Sequence, residues 1–150
     1  MKFRISTPEQ MHEFGIALAR ELRAGDLLLL NGPLGAGKTT LTRGIGDGLG
    51  AKGTVQSPTF VLARTHKTES GPKMVHVDAY RLSSAMELDD LDIDFANSIV
   101  VVEWARDFVE GITDNWLTVT IDRSGDDDAR ELDVIGNGPR WQGVKIAFSN

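Results

Sequence analysis

The sequence of 150 residues contains no cysteine. A disulfide framework and a thiolate metal site are therefore both excluded. Long apolar runs are absent too, because none approaches the roughly 20 residues that a helix needs to span a bilayer. The first ten residues, MKFRISTPEQ, lack the apolar core of a signal peptide. Together these absences predict a cytoplasmic protein.

Basic residues are in deficit. The chain has 16 Lys and Arg against 22 Asp and Glu, which gives a formal net charge of −6 at pH 7. A protein that binds nucleic acid by itself usually presents a basic surface, so independent binding of nucleic acid is not expected. The acidic side chains concentrate in residues 87–94 and 126–128. We interpret both stretches as solvated surface, with a docking surface for a basic partner as the alternative.

The rest of the composition is ordinary for a globular protein. Apolar residues make up 41% of the chain and charged residues 25%. A chain of this length can bury a hydrophobic core of its own. It contains no internal repeat and no stretch with the composition of a linker. We therefore predict a single domain over residues 1–150.

Residues 27–50 carry the strongest pattern and read LLLLNGPLGAGKTTLTRGIGDGLG. The four leucines are typical of a short strand buried on both faces. Residues 32–39 then fit G-x-x-x-x-G-K-[ST], the phosphate-binding loop or P-loop, and a helix is predicted over residues 38–49. Glycines allow backbone N–H groups to turn toward phosphates. Lys38 can place its charge against the β- and γ-phosphates, and the Thr39 hydroxyl can bind Mg²⁺.

The segments around the P-loop predict a mixed sheet. A strand at residues 3–5 precedes a helix that Ser6 or Thr7 would cap. Further strands and pairings follow from alternating or continuous apolar runs. These are an antiparallel hairpin of residues 60–64 and 74–78, a buried strand at 99–103, and an antiparallel pair of 116–121 and 130–135. A short acidic helix is predicted at residues 84–91, and another from residue 139.

Two acidic residues close apolar runs. Asp78 follows residues 74–77, and Glu103 follows residues 99–102. A P-loop needs a carboxylate near its metal ion, normally at the tip of a neighbouring strand. Either residue could bind Mg²⁺, directly or through water, or could polarise the attacking water. Sequence spacing does not divide these roles between them.

Other polar residues near these runs have weaker interpretations. Ser57 and Thr59 lie on a proline-containing loop, where nucleotide-dependent switch loops occur, and an ordinary polar loop is an equal alternative. We interpret His76 as a structural histidine with satisfied hydrogen bonds, because no second histidine lies at metal-binding spacing. Trp104 belongs either to the core or beside the nucleotide.

Four motifs occur in order: the P-loop, Ser57-Pro58-Thr59-Phe60, residues 76–82 (HVDAYRL), and Val102-Glu103-Trp104. In this combination the chain closely resembles the bacterial TsaE (YjeE) ATPases of tRNA threonylcarbamoyladenosine biosynthesis. The resemblance covers about residues 10–135. It implies an α/β fold, a compact three-layer variant of the P-loop NTPases with a mixed, partly antiparallel sheet.

The resemblance also implies a set of site residues. The phosphates of ATP would lie on Leu34, Gly35, Ala36, Gly37, Lys38 and Thr39, with Thr40 beside them. Thr39 and Glu103 match the family's Mg²⁺ ligands, and Asp78 matches its second essential acid, which would organise water or the switch loop. Lys38, Asp78 and Glu103 would form the catalytic set. Arg130 matches a basic residue that touches the nucleotide, whereas Met11 stands where a threonine often touches the base.

The function implied by the resemblance is a weak, Mg²⁺-dependent ATPase that works within a complex. The partners would be the catalytic threonylcarbamoyl transferase subunit, which is TsaD-like, and its inactive TsaB-like paralogue. Together they modify adenosine 37 of tRNA. The ATPase would reset the complex between turnovers, would not itself transfer the carbamoyl group, and would meet tRNA only through the complex.

Three other functions are weighed against this one. A small-molecule kinase would need an arginine-rich lid, and the region after Glu103 offers only the scattered Arg106, Arg123 and Arg130. A GTPase would need an N-K-x-D guanine reader, and the sequence contains none. A non-catalytic module would bind nucleotide only to hold a complex together, and it would keep its function in cells after Glu103→Ala.

Overall fold

The structure is a computed structural model that describes residues 1–33, 35–53, 55, 63–79, 91–103, 113–123 and 129–149. Seven strands and two α-helices lie within these residues. In chain order they are β1 (Lys2–Ile5), α1 (Pro8–Ala19), β2 (Leu27–Asn31), α2 (Lys38–Leu49), β3 (Ala63–His66), β4 (Lys73–Asp78), β5 (Ser98–Glu103), β6 (Trp116–Asp122) and β7 (Arg130–Asn137). Short 3₁₀ helices occur at Phe95–Asn97 and Pro139–Trp141. Neither described α-helix has the length and apolar character that crossing a membrane requires.

The strands form one sheet in the order β1-β7-β6-β2-β5-β4-β3. Its four central strands, β6, β2, β5 and β4, are parallel to one another. Antiparallel strands flank them, with β3 on one side and β7 followed by β1 on the other. The predicted mixed, partly antiparallel α/β sheet is confirmed. The hairpin predicted from residues 60–64 and 74–78 is seen as the antiparallel β3–β4 pair, with residues 60–62 of the prediction outside the described residues. The predicted pair of β6 and β7 is also present.

Apolar clusters lie on both faces of the sheet, and successive side chains of β2 alternate between them. Leu28 and Leu30 pack in the larger cluster with α1 and α2. Leu27 and Leu29 pack on the opposite face with Val100 and Val102 of β5. Partly buried side chains that precede or lie in the first 3₁₀ helix cover that second cluster: Leu91, Ile93 and Phe95. The predicted acidic helix at 84–91 lies outside the described residues apart from its last position.

Helix α1 begins where its sequence predicts. The Thr7 side chain accepts a hydrogen bond from the Gln10 N–H at 3.1 Å, so Thr7 is the cap, and Pro8 follows in the first turn. Met11, Phe14 and Leu18 form the buried stripe on the side that faces α2 and the sheet. The residues just before α1 are thereby fixed next to the end of β1.

Glycines allow α1 and α2 to pack closely. A Cβ atom on Gly15 would lie 2.5 Å from the Leu41 carbonyl oxygen and 2.8 Å from the Gly44 Cα. A Cβ atom on Gly48 would lie 2.6 Å from the Ala19 Cβ. Gly15 of α1 and Gly44 and Gly48 of α2 are therefore required where the two helices meet, although glycine weakens an isolated helix. This close contact fixes α2, and with it the P-loop, against α1.

The predicted helix from residue 139 is wrong. Only the 3₁₀ helix Pro139–Trp141 forms, and residues 144–149 have no regular secondary structure. The tail is held by tertiary contacts instead. The Phe148 ring lies 5.3 Å from the Phe14 ring and 6.2 Å from the Phe3 ring. Packing on the core has thus decided the path of this segment, which local propensity did not.

An ion pair joins the tail to the start of β2. Arg140 donates to both carboxylate oxygens of Asp26 at 3.0 Å, and its Nη2 also donates to the Glu21 carbonyl oxygen. The Arg140 guanidinium lies 4.2 Å from the centre of the Trp141 ring. The Asp26 side chain is 4% exposed and that of Arg140 is 14% exposed. Such a bidentate, largely buried pair is sensitive to the loss of either partner.

We expect Arg140→Ala to lower the free energy of unfolding by about 3 kcal/mol, because it leaves the buried Asp26 carboxylate without its cation. Urea-induced unfolding measures this change. Lys2→Ala is the matched control, since it breaks the Lys2–Glu131 pair, which is 3.9 Å long and largely exposed. The control should cost less than about 1 kcal/mol. Equal losses in the two variants would contradict the assignment of Asp26–Arg140 as a stabilising pair.

Candidate nucleotide-binding site

The P-loop connects β2 to α2 at the edge of the sheet where β2, β4, β5 and β6 all end. Gly35 and Gly37 have positive φ angles of 79° and 113°, which residues other than glycine rarely adopt. Gly37 precedes α2 and provides no side-chain cap. The first N–H groups of α2 therefore remain available to an anion at the positive end of the helix. Leu34, one of the predicted phosphate-binding residues, lies outside the described residues.

Lys38 lies against the first half of the loop. Its ammonium group donates to the Gly32 carbonyl oxygen at 2.5 Å and to the Pro33 carbonyl oxygen at 3.2 Å. The residue is only 7% exposed. A positive charge is thus held within the curl of the loop, and its contact with phosphates stays a prediction.

The two acidic residues lie side by side. Strands β4 and β5 are parallel and in register, with Asp78 opposite Glu103. Both residues are buried, at 7% and 4% exposure. The Thr39 hydroxyl donates to Glu103 Oε1 at 3.4 Å. The structure therefore brings the adjacent residues Lys38 and Thr39 to the same edge of the sheet as Asp78 and Glu103, which come from distant segments of the sequence.

Thr39 and Glu103 fit a magnesium ion that binds together with a nucleotide. Both offer hard oxygen ligands, and Mg²⁺ in phosphate-binding sites typically takes one or two protein oxygens, with phosphate and water oxygens completing the octahedron. Within the described part of the chain, no group of three or more His, Cys, Asp or Glu side chains could hold a metal ion. A Mg²⁺ ion held by these two oxygens would take its other ligands from phosphate and water.

A cleft of about 200 Å³ opens beside the loop, between the P-loop and the N-terminal segment. It is lined by Ile5, Thr7, Pro8, Met11, Gly35, Ala36, Gly37, Thr40 and Arg130. The Met11 side chain packs on the loop, because its methyl carbon is 3.2 Å from where a Cβ atom on Gly37 would lie. Apolar side chains thus meet the P-loop backbone, an arrangement that would suit a flat base linked to phosphates.

Arg130 reaches the P-loop from the opposite side of the cleft. Its Nε donates to the Ala36 carbonyl oxygen at 3.2 Å. Because β7 runs antiparallel to β6, the first residue of β7 lies at the same edge of the sheet as the P-loop. Arg123 follows the end of β6, and its Nη1 is 3.7 Å from where a Cβ atom on Gly35 would lie. Two guanidinium groups therefore lie next to the loop.

Comparison with known proteins decides the family. The family model for "Threonylcarbamoyl adenosine biosynthesis protein TsaE" matches residues 5–132. The chain belongs to the TsaE family. It is 54% identical over 144 residues to the TsaE protein of Streptomyces coelicolor. That alignment covers 91% of this chain and 97% of the relative. It is 35% identical over 145 residues to the TsaE protein of Bacillus subtilis, covering 95% and 89% of the two chains.

A solved structure agrees with the TsaE assignment. The crystal structure of Bacillus subtilis YdiB is similar with a TM-score of 0.76 at 31% sequence identity. The match covers 95% of this chain and 88% of that one. The α/β fold predicted from the resemblance to TsaE proteins is thereby confirmed by a comparison independent of the motifs.

The roles of the individual residues in this TsaE-family site stay predictions, but their positions are now known. Gly35, Ala36, Gly37, Lys38, Thr39, Thr40 and Arg130 border the cleft or the P-loop. The predicted switch loop at residues 57–60 and Trp104 lie outside the described residues. Sequence reasoning missed Ile5, Thr7 and Pro8 as lining residues. Only the pairing of β1 with β7, which sets Ile5 opposite Arg130, could have revealed them.

The interpretation of His76 is partly wrong. The side chain is fully buried, as a structural histidine should be. However, neither ring nitrogen has a hydrogen-bond partner within the described part of the TsaE-family chain. The ring lies beside the Glu103 carboxylate, whose Oε2 is 3.5 Å from His76 Nε2. The histidine therefore borders the candidate metal site instead of belonging to a satisfied core.

Proposed function

We propose that this TsaE-family protein binds ATP with Mg²⁺ at its P-loop and hydrolyses the ATP slowly, at a rate that partner proteins raise. Membership of the family gives it a role in threonylcarbamoyladenosine biosynthesis. The observation that carries the ATPase proposal is the convergence of Lys38, Thr39, Asp78 and Glu103 at one edge of the sheet. That edge carries the positive charge of Lys38 for the phosphates, the oxygens of Thr39 and Glu103 for a metal ion, and the further carboxylate of Asp78.

Each residue of the convergence has a proposed task. The N–H groups that begin α2 and the Lys38 ammonium bind the phosphates of ATP. Thr39 and Glu103 hold Mg²⁺, which neutralises charge on the phosphates. Asp78 orients the attacking water from its place beside Glu103. Arg130 contacts the nucleotide across the cleft from its position on the Ala36 carbonyl oxygen.

Slow turnover in the absence of partners agrees with what phosphoryl transfer requires. Catalysis of this reaction depends almost entirely on positioning and on compensation of negative charge. A charged group supplied or moved by a partner can raise such rates by about 10³–10⁵. The ATPase is in this proposal a subunit that responds to its complex and uses hydrolysis to reset it between turnovers.

The proposed partners are the TsaD-like threonylcarbamoyl transferase subunit and its TsaB-like paralogue. The proposed contact with tRNA is indirect, since a chain with a net charge of −6 is repelled by phosphates of the nucleic acid. A cytoplasmic location, where tRNA is modified, completes the proposal.

The deciding experiment measures release of inorganic phosphate from ATP by the purified protein, alone and with both partner subunits. We expect slow turnover alone and at least about a tenfold rise with both partners. Fast turnover alone, or no response to the partners, would contradict the proposal. The same assay with GTP, and a search for phosphorylated metabolites among the products, distinguishes a GTPase and a small-molecule kinase from it.

A further inference from the structure

We propose that His76 is a positioning residue that orients the Glu103 carboxylate for metal binding. Its Nε2–H would donate to Glu103 Oε2 and leave Oε1 directed toward Thr39. This inference rests on the proposed Mg²⁺-dependent function and goes beyond it, because it assigns a role to a side chain outside the P-loop and the metal ligands.

The register of the sheet places His76 beneath the metal site. His76 precedes Asp78 by two residues on β4, so both side chains project from the same face of the sheet. Strand β5 pairs His76 with Val101 and Asp78 with Glu103. Met74 and Val101, which share this face, belong to the core cluster that packs against α2. The imidazole therefore lies between an apolar core and a carboxylate.

The burial of an imidazole at this position needs an explanation. Its side chain is 0% exposed, and its two nitrogens are without hydrogen-bond partners in the described ranges. Burying polar atoms without partners opposes folding, whereas an apolar side chain of similar size would avoid this cost. The Glu103 carboxylate is the acceptor within reach. The distance of 3.5 Å between His76 Nε2 and Glu103 Oε2 exceeds that of a formed hydrogen bond, and a small rotation of the carboxylate would bring the two atoms into hydrogen-bonding distance.

The two oxygens of Glu103 face different groups. Oε1 is 3.4 Å from the Thr39 hydroxyl, and Oε2 is 3.5 Å from His76 Nε2. A carboxylate held at both oxygens presents one lone-pair direction to a metal. Groups that hydrogen-bond to metal ligands in this way commonly change metal affinity or activity by about 10–100-fold. Loss of the His76 donor should therefore act on metal binding and leave the loop's contacts with phosphates in place.

The test compares His76→Leu, which removes the donor, with His76→Gln, whose amide can reach the place of Nε2. Two readouts are taken: the Mg²⁺ concentration for half-maximal ATP hydrolysis, and Mn²⁺ binding to the ADP complex followed by electron paramagnetic resonance. We expect His76→Leu to weaken metal binding about tenfold in both, with ADP affinity in chelator unchanged. His76→Gln should restore most of the loss.

A second buried histidine provides the control. His66 on β3 is also buried, and its Nδ1 lies 3.1 Å from the Lys52 carbonyl oxygen, away from Glu103. His66→Leu should alter stability but not the metal dependence. Should His76→Leu fail to fold, His76→Asn replaces it, because its shorter amide cannot reach Glu103.

Three results would overturn the proposal. Unchanged Mn²⁺ affinity in a folded His76→Leu or His76→Asn protein would leave His76 a structural role only. Equal losses in His76→Gln and His76→Leu would exclude hydrogen bonding as the cause. If the wild-type protein showed no metal-dependent nucleotide binding, the proposed function would fall together with this inference, whereas the first two results would leave that function standing.

Discussion

Replacement of Lys38 with alanine is expected to reduce ATP hydrolysis by at least about 10²–10³-fold, the loss typical for removal of one group that stabilises charge in a transition state. The Lys38 ammonium is buried within the curl of the P-loop and is bonded to the Gly32 and Pro33 carbonyl oxygens. In our proposal this ammonium lies against the β- and γ-phosphates of the bound nucleotide. Water that fills the space left by the side chain is neutral and would not compensate the phosphate charge.

The measurement is phosphate release in a single turnover, with binding of a fluorescent ATP analogue as the second readout. Lys52→Ala is the matched control, because Lys52 is an exposed lysine outside the cleft. Since Lys38 also bonds the loop backbone, unfolding in urea should be compared for both variants. Turnover like that of the wild type in a folded Lys38→Ala protein would contradict the assignment of residues 32–39 as a phosphate-binding loop.

The P-loop could be predicted from sequence because everything that defines it is local. Four leucines, a glycine-containing turn and Lys38 follow one another in the chain, and α2 begins and ends at the predicted residues. The strand-end positions of Asp78 and Glu103 were predictable for the same reason. Each closes its own apolar run, and a carboxylate in that position points to the edge where parallel strands end.

The side of the cleft that Ile5 forms next to Arg130 could not be predicted from local sequence patterns, because it depends on the order of the strands in the sheet. Ile5 lies opposite Arg130 only because β1 pairs with β7 and β7 pairs with β6. No local pattern specifies that pairing over more than 120 residues of chain. Arg130 itself was predicted from the resemblance to TsaE proteins, whereas Arg123 was noted only as a scattered arginine. Its place beside Gly35 follows from β6 lying next to β2.

The histidine shows a different limit. His76 was interpreted from the sequence as a structural histidine, which its burial supports, but the sequence carries no information about which side chain faces the ring. That partner is set by the alignment of β4 with β5, which brings Glu103 within 3.5 Å of His76. The sequence therefore predicts well the secondary structure of most segments and the position of a residue within them. It fails for contacts that the register between segments creates.

The roles of the two buried acids are separable by comparing Glu103→Gln with Asp78→Asn. The substitutions are matched, because each converts a carboxylate into a neutral amide of similar size. The two residues also occupy paired positions of β4 and β5. We expect Glu103→Gln to reduce Mg²⁺-dependent hydrolysis by about 10²–10³-fold and to raise the Mg²⁺ concentration required. The affinity for ATP in the presence of a chelator should change much less, since in our proposal Lys38 and the start of α2 bind the phosphates.

Asp78→Asn should behave differently if it orients water. Its turnover should fall at saturating Mg²⁺ while the Mg²⁺ concentration for half-maximal activity stays near that of the wild type. Titrations of hydrolysis against Mg²⁺ at saturating ATP measure both quantities. We propose this division because Glu103 accepts a hydrogen bond from the hydroxyl of Thr39, the other proposed metal ligand. The opposite pattern would make Asp78 the metal ligand, and it would also remove the reason for His76 to orient Glu103.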